Sequence, residues 1–267
     1  LVAGTLANDG ELREENGRWE IVGDPTEVSL IVAARKVKAD RKIKRYTRVG
    51  EIPFTSERKR MSIIAKDSTD SDKLTVFAKG APDVLLSYCT RIRVGGQVRK
   101  LTEGDRQSIL ATVERLSSEA YRTLGEACRP LETGSLADVP GVSVNAAGQV
   151  SDIADQAEAI ETDLIWNGMV GIIDPPRTEV RDSVTEAHRA GIRTVMITGD
   201  NAGAANLIAR QAGISSVRAQ VLPQDKHSAV EEFKNNGKIV AMVGDGINDA
   251  PALAGANVGI ALSSGTD

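Results

Sequence analysis

The sequence predicts an α+β domain followed by an α/β domain, and three observations support this division. Two alternating runs in the first half, Met61–Ala65 and Leu74–Ala78, flank a polar stretch, as in an antiparallel hairpin. From Leu164 onward, apolar strand-like runs alternate with helical segments, which is typical of a parallel sheet covered by helices on both faces. At 267 residues the chain exceeds a typical domain of roughly 100–200 residues. We therefore predict domains 1–163 and 164–267.

Composition excludes several classes of protein. Apolar residues make up 41% and charged residues 26%, which is unlike a disordered chain. The net charge of -4 and the scattered basic residues argue against a nucleic-acid partner. Cys89 and Cys128 lack metal-ligand spacing, so we expect two idle thiols in a reducing compartment. No apolar run approaches the roughly 18 residues of a membrane span, so we expect these residues themselves to be soluble.

Residues that favour the start or the end of a helix or strand define the elements of the first half. Trp19–Val22 reads as a strand, and Gly23-Asp24-Pro25 ends it before a helix that Thr26 is expected to cap. Pro82 is suited to the first turn of another helix. Residues 131–160 are rich in Gly, Ala, Ser and acidic side chains with weak periodicity, so we expect a surface excursion there.

The second half alternates strands and helices. The predicted strands are Leu164–Ile173, Arg193–Ile197, Val217–Leu222, Lys238–Val243 and Val258–Leu262, and the predicted helices are Thr178–Ala190, Asn201–Ala212 and Asp225–Asn235. Ligands of such folds bind beyond the carboxyl ends of the strands, so the polar residues that follow strands are the candidate site.

Two polar clusters occupy these strand ends. Thr198-Gly199-Asp200 opens a helix, and a hydroxyl, a glycine amide and a helix terminus suit a phosphate. Asp245, Asn248 and Asp249 supply the oxygen donors that Mg²⁺ prefers, and Lys226 could neutralise phosphoryl charge. Taken singly, Thr198 could be a helix cap, Asp200 a turn residue and Lys226 a surface charge, but together they favour a phosphate and a metal.

The motifs of both halves resemble those of the P-type ATPases over nearly the whole chain. In the second half these are Asp174-Pro175-Pro176-Arg177, Met196–Asn201, which contains Thr-Gly-Asp-Asn, and Met242–Leu253, which contains Gly-Asp-Gly-Ile-Asn-Asp. In the first half they are Gly23–Glu27, Pro53–Ser62, Lys79–Asp83 and Tyr121–Gly125. The resemblance implies a haloacid dehalogenase-like (Rossmann-like) second domain, incomplete at its N-terminal side, and an α+β nucleotide-binding first domain with an antiparallel sheet.

The resemblance also implies roles for particular residues. Glu27, Phe54, Lys59, Lys79, Gly80, Arg122, Asp174 and Arg177 would bind ATP; Thr198, Gly199, Asp200 and Lys226 would serve phosphoryl transfer; and Asp245 and Asp249, supported by Asn248, would hold Mg²⁺. An aromatic face suits adenine stacking, and the forked guanidinium group suits phosphate. Without the resemblance, Phe54 would be read as a core residue.

The sequence departs from the family pattern at two points. Gln220 stands where relatives have an arginine, and the Asp-Lys-Thr-Gly-Thr motif of the phosphorylated aspartate does not occur in the 267 residues. We expect that motif upstream of Leu1, which makes the chain a fragment that binds ATP without turning it over.

The expected parent is an integral membrane protein that couples ATP hydrolysis to cation transport, with this part on the cytoplasmic side. Its partners would be ATP, the transported cation and the actuator and transmembrane domains of the same polypeptide. Two alternatives stay open: a soluble phosphatase of the haloacid dehalogenase class, and a non-catalytic nucleotide-binding module.

Overall fold

The chain consists of two compact units. The computed structural model describes residues 1–15, 17–70, 73–145, 150, 152–244 and 249–262. One unit comprises Leu1–Leu116 with Arg122–Ile173, and the other comprises Ser117–Tyr121 with Asp174–Asp267. The main division therefore falls after residue 173, whereas the predicted boundary follows residue 163.

The strands and helices before residue 174 are as follows. The strands are β1 (Glu11–Glu15), β2 (Arg18–Val22), β3 (Tyr46–Ile52), β4 (Arg60–Asp67), β5 (Leu74–Gly80), β6 (Cys89–Val94), β7 (Gln97–Lys100), β8 (Arg122–Pro130) and β9 (Leu164–Ile172). The α-helices are α1 (Val2–Leu6), α2 (Pro25–Lys36), α3 (Asp40–Ile43), α4 (Pro82–Ser87), α5 (Glu103–Ser118) and α6 (Ala157–Ile160), and Leu136–Asp138 and Ala154–Gln156 are 3-10 helices.

A seven-stranded sheet in the order β3-β4-β5-β8-β9-β6-β7 organises the first unit. Its neighbouring strands are antiparallel except for β6 and β9, which are parallel. The prediction of an antiparallel sheet is therefore corrected to a mixed sheet in which one pair of strands is parallel. The long connection between β6 and β9 lets the chain return in the same direction, as parallel pairing requires. This pairing also places β9 in the first unit.

Helix α2 begins at an acidic cap. The Asp24 Oδ1 atom accepts a hydrogen bond from the Thr26 N–H at 2.6 Å, and Pro25 occupies the first turn. Asp24, rather than the predicted Thr26, is therefore the cap. Burial acts to raise the pKa of Asp24, but hydrogen bonds from Thr26 and Glu27 outweigh it and lower the pKa.

Both faces of the sheet are covered, and β9 contributes to both. Leu164 and Trp166 pack with Leu85 of α4 in one apolar cluster. Ile165, which points to the opposite face, packs with Met61 in another cluster that includes residues of α1. Burial of apolar surface in these two clusters stabilises the packing of the helices on the sheet.

Residues 131–160 contribute to a third apolar cluster. Leu131, Val139 and Ile160 are at most 5% exposed and pack with Ile52 and Ile64 of β3 and β4. The prediction of a surface excursion is therefore wrong for this part of the chain. The apolar side chains are spaced irregularly because Leu131 follows β8, Val139 follows a 3-10 helix and Ile160 ends α6. No single helical or strand period is therefore visible in the sequence.

The buried position of Cys89 predicts that its thiol reacts slowly. Burial raises the pKa of Cys89 to about 12, and that change from the reference value of 9.0 lowers the thiolate fraction about 1000-fold. We expect Cys89 to resist an aromatic disulfide reagent at pH 8 in the folded chain and to react after unfolding in urea. Equal rates in the two states would contradict the buried position.

The second unit alternates strands and helices, as predicted. Its elements are α7 (Val180–Arg189), β10 (Val195–Ile197), α8 (Ala202–Ala212), β11 (Ser216–Arg218), α9 (Pro223–Asn235), β12 (Ala241–Gly244), α10 (Ala250–Gly255) and β13 (Val258–Ala261). β10 pairs with β11 and β12 pairs with β13, in both cases parallel. The α/β class is confirmed, but over the described residues these pairs form two separate sheets rather than one.

None of the described helices combines the length and the hydropathy that crossing a bilayer requires.

Candidate nucleotide and phosphate sites

Lys79 and Glu27 form an ion pair between β5 and α2 in the first unit. The Lys79 Nζ atom lies 2.5 Å from Glu27 Oε1, and the lysine is only 5% exposed. The other carboxylate oxygen of Glu27 accepts the Asp9 N–H at 2.7 Å. Because a buried ammonium group is costly without a partner, Glu27 fixes the position of Lys79. The structure therefore brings together two of the residues predicted to bind the nucleotide.

Gly80 allows β4 and β5 to approach closely. A Cβ atom at this position would lie 2.6 Å from the Lys59 carbonyl oxygen and 2.6 Å from the Arg60 Cβ atom. The Ala81 N–H donates to the same Lys59 carbonyl at 3.0 Å. The space beside Gly80 is thus filled by the chain itself, which accounts for the glycine without a nucleotide. Its contact with a base stays a prediction.

Phe54 lies in the loop between β3 and β4 and faces solvent. Its side chain is 59% exposed, so the alternative of core packing is wrong. The loop is held at both ends: the Lys59 N–H donates to Thr55 O at 2.8 Å, and Arg58 Nη1 donates to Pro53 O at 2.7 Å. An exposed aromatic ring on a hydrogen-bonded loop, which also carries the exposed Lys59, is suited to stacking on a planar ligand.

Arg122 begins β8 and lies beside the first turn of α2. Its side chain is exposed, and Nη1 contacts the Thr26 Oγ1 atom at 3.4 Å. The positive charge of Arg122 also contributes to the lowered pKa of Asp24. Thr26 directly precedes Glu27, so Arg122 lies near the Lys79–Glu27 pair, and its remaining donors are available for an anion.

Thr198, Gly199 and Asp200 form a turn after β10 in the second unit. Thr198 Oγ1 donates to Asp200 Oδ2 at 2.9 Å, and the Asp200 N–H approaches Thr198 Oγ1 at 3.2 Å. The Gln220 and Val221 N–H groups donate to the carbonyls of Asp200 and Thr198 at 2.9 and 3.0 Å. The departure from the family pattern at Gln220 therefore lies directly against this turn.

The end of α8 nearest this turn already has a cap. Asn201 Oδ1 accepts the Ala204 N–H at 2.9 Å, so one of the first-turn N–H groups is satisfied within the protein. The remaining free N–H groups at a helix N-terminus still favour a negative charge.

Lys226 and Asp249 form the second ion pair between predicted site residues. Lys226 Nζ lies 2.6 Å from Asp249 Oδ1, and Asp249 is 7% exposed. Gly244, the last residue of β12, makes room for this carboxylate, since a Cβ atom there would lie 2.6 Å from Asp249 Oδ2. The pair therefore joins the start of α9 to the carboxyl end of β12.

The predicted metal site is described only in part. Asp245 and Asn248 lie outside the described residues. Over the described ranges, no group of three or more acidic, histidine or cysteine side chains is arranged to hold a metal. Asp249 has the donor type that Mg²⁺ prefers, but it is also the partner of Lys226.

Asp174 and Arg177 lie at the start of the second unit, in the segment between β9 and α7. Both side chains are exposed. The structure therefore leaves them accessible, and the ligand contact predicted for each stays a prediction.

Sequence reasoning missed a buried network beside the Phe54 loop. Arg58, Arg60 and Ser62 all contact the carboxylate of Glu161, which is fully buried. The run Pro53–Ser62 was recognised as a motif, but only Phe54 and Lys59 were assigned roles in it. Glu161 lies beyond the weakly periodic segment, where the sequence gives no sign that its charge is buried.

Comparisons with known proteins identify the family of this chain. A family model described as P-type ATPase, cytoplasmic domain N, matches residues 1–179. Calcium-transporting ATPase 1 of Bacillus cereus is 37% identical over 98% of this chain and 30% of its own length. Calcium-transporting ATPase of Bacillus subtilis is 34% identical over 100% of this chain and 31% of its own length. Probable cation-transporting ATPase F of Mycobacterium tuberculosis is 34% identical over 99% of this chain and 30% of its own length.

The chain belongs to the P-type ATPases, which confirms the resemblance read from the motifs. It spans about 30% of the length of these curated relatives, whose names describe calcium- or cation-transporting members of the family.

Proposed function

We propose that this chain is the ATP-binding cytoplasmic part of a membrane pump that couples ATP hydrolysis to cation transport. The observation that carries the proposal is the exposed ring of Phe54 in the same unit as the buried Lys79–Glu27 pair and the exposed Arg122. Such a surface offers an aromatic face for adenine, a carboxylate for its amino group and cations for the phosphates. Calcium is the proposed cargo because the Bacillus relatives are named as calcium transporters.

The proposed reaction passes through an aspartyl phosphate. A carboxylate of the longer polypeptide would take the γ-phosphoryl group from ATP, and water would then release it. Thr198 and Gly199 would hold the phosphoryl oxygens, Lys226 would neutralise their charge, and Asp200 would help to bring the nucleotide and phosphorylation domains together. Asp249 and Asp245 would hold the Mg²⁺ that accompanies ATP and offsets its charge.

Exposed apolar strands support a larger second domain. Val243, Val258 and Ile260 of β12 and β13 are 45–54% exposed. Parallel sheets are normally buried on both faces, so we propose that further parts of the longer polypeptide cover these strands and complete a haloacid dehalogenase-like fold. The soluble-phosphatase alternative is less well supported, because such an enzyme would not need the Phe54 and Lys79 motifs.

Replacing Phe54 by alanine tests the adenine site. We expect Phe54→Ala to weaken ATP binding about tenfold, because stacking on an aromatic ring contributes about 1–3 kcal/mol per base. Lys79→Ala should also weaken binding, since it removes the partner of Glu27. Calorimetric titration of ATP into the 267-residue chain, with and without Mg²⁺, measures both effects.

The matched control is Trp19→Ala, which removes another exposed aromatic side chain from the first unit. It should leave ATP affinity unchanged. A folded wild type without saturable ATP binding would contradict the proposal, and phosphate release from ATP by this chain would contradict the prediction that it binds ATP without turning it over.

A further inference from the structure

A fully buried carboxylate contacts the segment that follows Phe54. Glu161 is 0% exposed. Its Oε1 atom accepts hydrogen bonds from Arg58 Nη2 at 2.5 Å and Ser62 Oγ at 2.7 Å, and its Oε2 atom accepts from Arg60 Nε at 2.7 Å. A single carboxylate thus binds three side chains within residues 58–62, although it is about a hundred residues away in sequence.

Arg58 connects Glu161 to the backbone at Phe54. One terminal nitrogen of its guanidinium group binds Glu161, while the other donates to the Pro53 carbonyl at 2.7 Å. The Arg58 N–H also donates to Thr55 Oγ1 at 3.1 Å. Because the guanidinium group is planar and rigid, the position of one bound oxygen restricts the position of the other. Arg58 therefore contacts the residues on both sides of Phe54, and its guanidinium group ties the Pro53 carbonyl to Glu161.

Arg60 supplies the remaining anchor. Its guanidinium carbon lies 3.9 Å from the centroid of the Tyr88 ring, which offsets part of the second positive charge beside a single carboxylate. Buried ion pairs stabilise folds weakly, because desolvation cancels most of their attraction, and apolar side chains of similar volume often serve stability equally well. The directional contacts of this network are what an apolar substitute would lack.

We propose that Glu161 is a positioning residue for nucleotide binding. It holds Arg58, and Arg58 holds the Pro53 carbonyl, so that the ring of Phe54 is presented in one arrangement before the ligand arrives. A loop ordered in advance loses less conformational freedom on binding, and affinity rises accordingly. This inference rests on the proposed adenine site at Phe54 and names residues that hold that site in place.

A double-mutant cycle tests the inference on the 267-residue chain. Glu161→Gln and Arg58→Lys are each made alone and together with Phe54→Ala, and ATP affinity is measured by calorimetry. We expect each to weaken ATP binding about tenfold when Phe54 is present and less than about twofold when it is absent. A purely structural role would produce equal losses in both backgrounds.

The matched control is Arg106→Lys. Arg106 also forks between two acceptors in the first unit, the carbonyls of Leu86 and Cys89 at 2.5 and 2.6 Å, but it does not contact the Phe54 loop. It should leave ATP affinity unchanged. Hydrogen exchange without ligand should be faster at amides 54–59 in Arg58→Lys than in Arg106→Lys.

The outcomes separate the two proposals. Phe54→Ala could weaken ATP binding while Glu161→Gln and Arg58→Lys each cause the same loss of affinity with Phe54 present as with alanine in its place. In that case the positioning role is overturned and the adenine site stands. If Phe54→Ala binds ATP as the wild type does, the adenine site and the positioning role are both overturned. Should Glu161→Gln fail to fold, as thermal melting would show, the Arg58→Lys arm decides between these results.

Discussion

Trp166→Ala will lower the free energy of unfolding of the first unit by about 3–5 kcal/mol, the usual cost of removing a buried tryptophan. The side chain is 3% exposed and packs with Leu85 and Leu164 in the core cluster on one face of the sheet. It also lies over Gly125, where a Cβ atom would be 2.7 Å from the indole ring. Gly125 has no side chain that could fill the space that the substitution leaves.

Urea unfolding followed by far-UV circular dichroism measures this loss without using the tryptophan as a probe. The matched control is Trp19→Ala, which removes a side chain that is 56% exposed on β2. The Arg35 guanidinium carbon lies 4.9 Å from its ring centroid, and such an exposed cation–π contact contributes little, so we expect a loss below about 1 kcal/mol. Similar losses in the two variants would contradict the assignment of Trp166 to the core.

Gly80→Ala will lower the free energy of unfolding by about 1–3 kcal/mol, the cost of forcing extra atoms into a packed region. The added methyl group would overlap the Lys59 carbonyl and the Arg60 side chain, so β4 and β5 must move apart. Since Lys79 precedes Gly80 and Lys59 ends the Phe54 loop, we also expect weaker ATP binding. Chemical denaturation and calorimetry measure the two effects on the same protein.

Gly96→Ala is the control for this change. A Cβ atom at Gly96 would have no neighbour within 4 Å. It should therefore leave both the free energy of unfolding and ATP affinity close to those of the wild type. If Gly80→Ala behaved in the same way, the close approach of β4 and β5 at this position would be wrong.

The sequence predicted most of the local structure of the second unit. Apolar strand runs alternate there with helical segments, and Asn201 and Pro223 begin their helices within a residue or two of the predicted starts. The order of the strands in the sheet of the first unit was harder to predict from the sequence. Leu164–Ile172 is mostly apolar, interrupted by Asn167 and two glycines, and such a run fits equally well into a parallel sheet or into the centre of a mixed one.

The sequence predicted candidate site residues only where they belong to a recognisable motif. It did not predict the contacts that hold those residues in place. Lys79 and Glu27 were named separately, and only the structure shows that they are partners. A lone glutamate in sequence is normally a surface residue, and the burial of Glu161 depends on Arg58 and Arg60 from a distant loop and strand. Long-range charge pairing leaves no periodic pattern for sequence reasoning to detect.

The third apolar cluster bears on how this domain can change length during evolution. Leu131, Val139 and Ile160 come from a segment whose composition resembles a linker, yet they cover Ile52 and Ile64 of the sheet. Insertions and deletions should therefore be tolerated in the exposed turns between these anchors and selected against at the anchors themselves. A shortened variant that keeps all three apolar side chains should fold, whereas replacing the whole segment with a flexible tether would uncover the sheet.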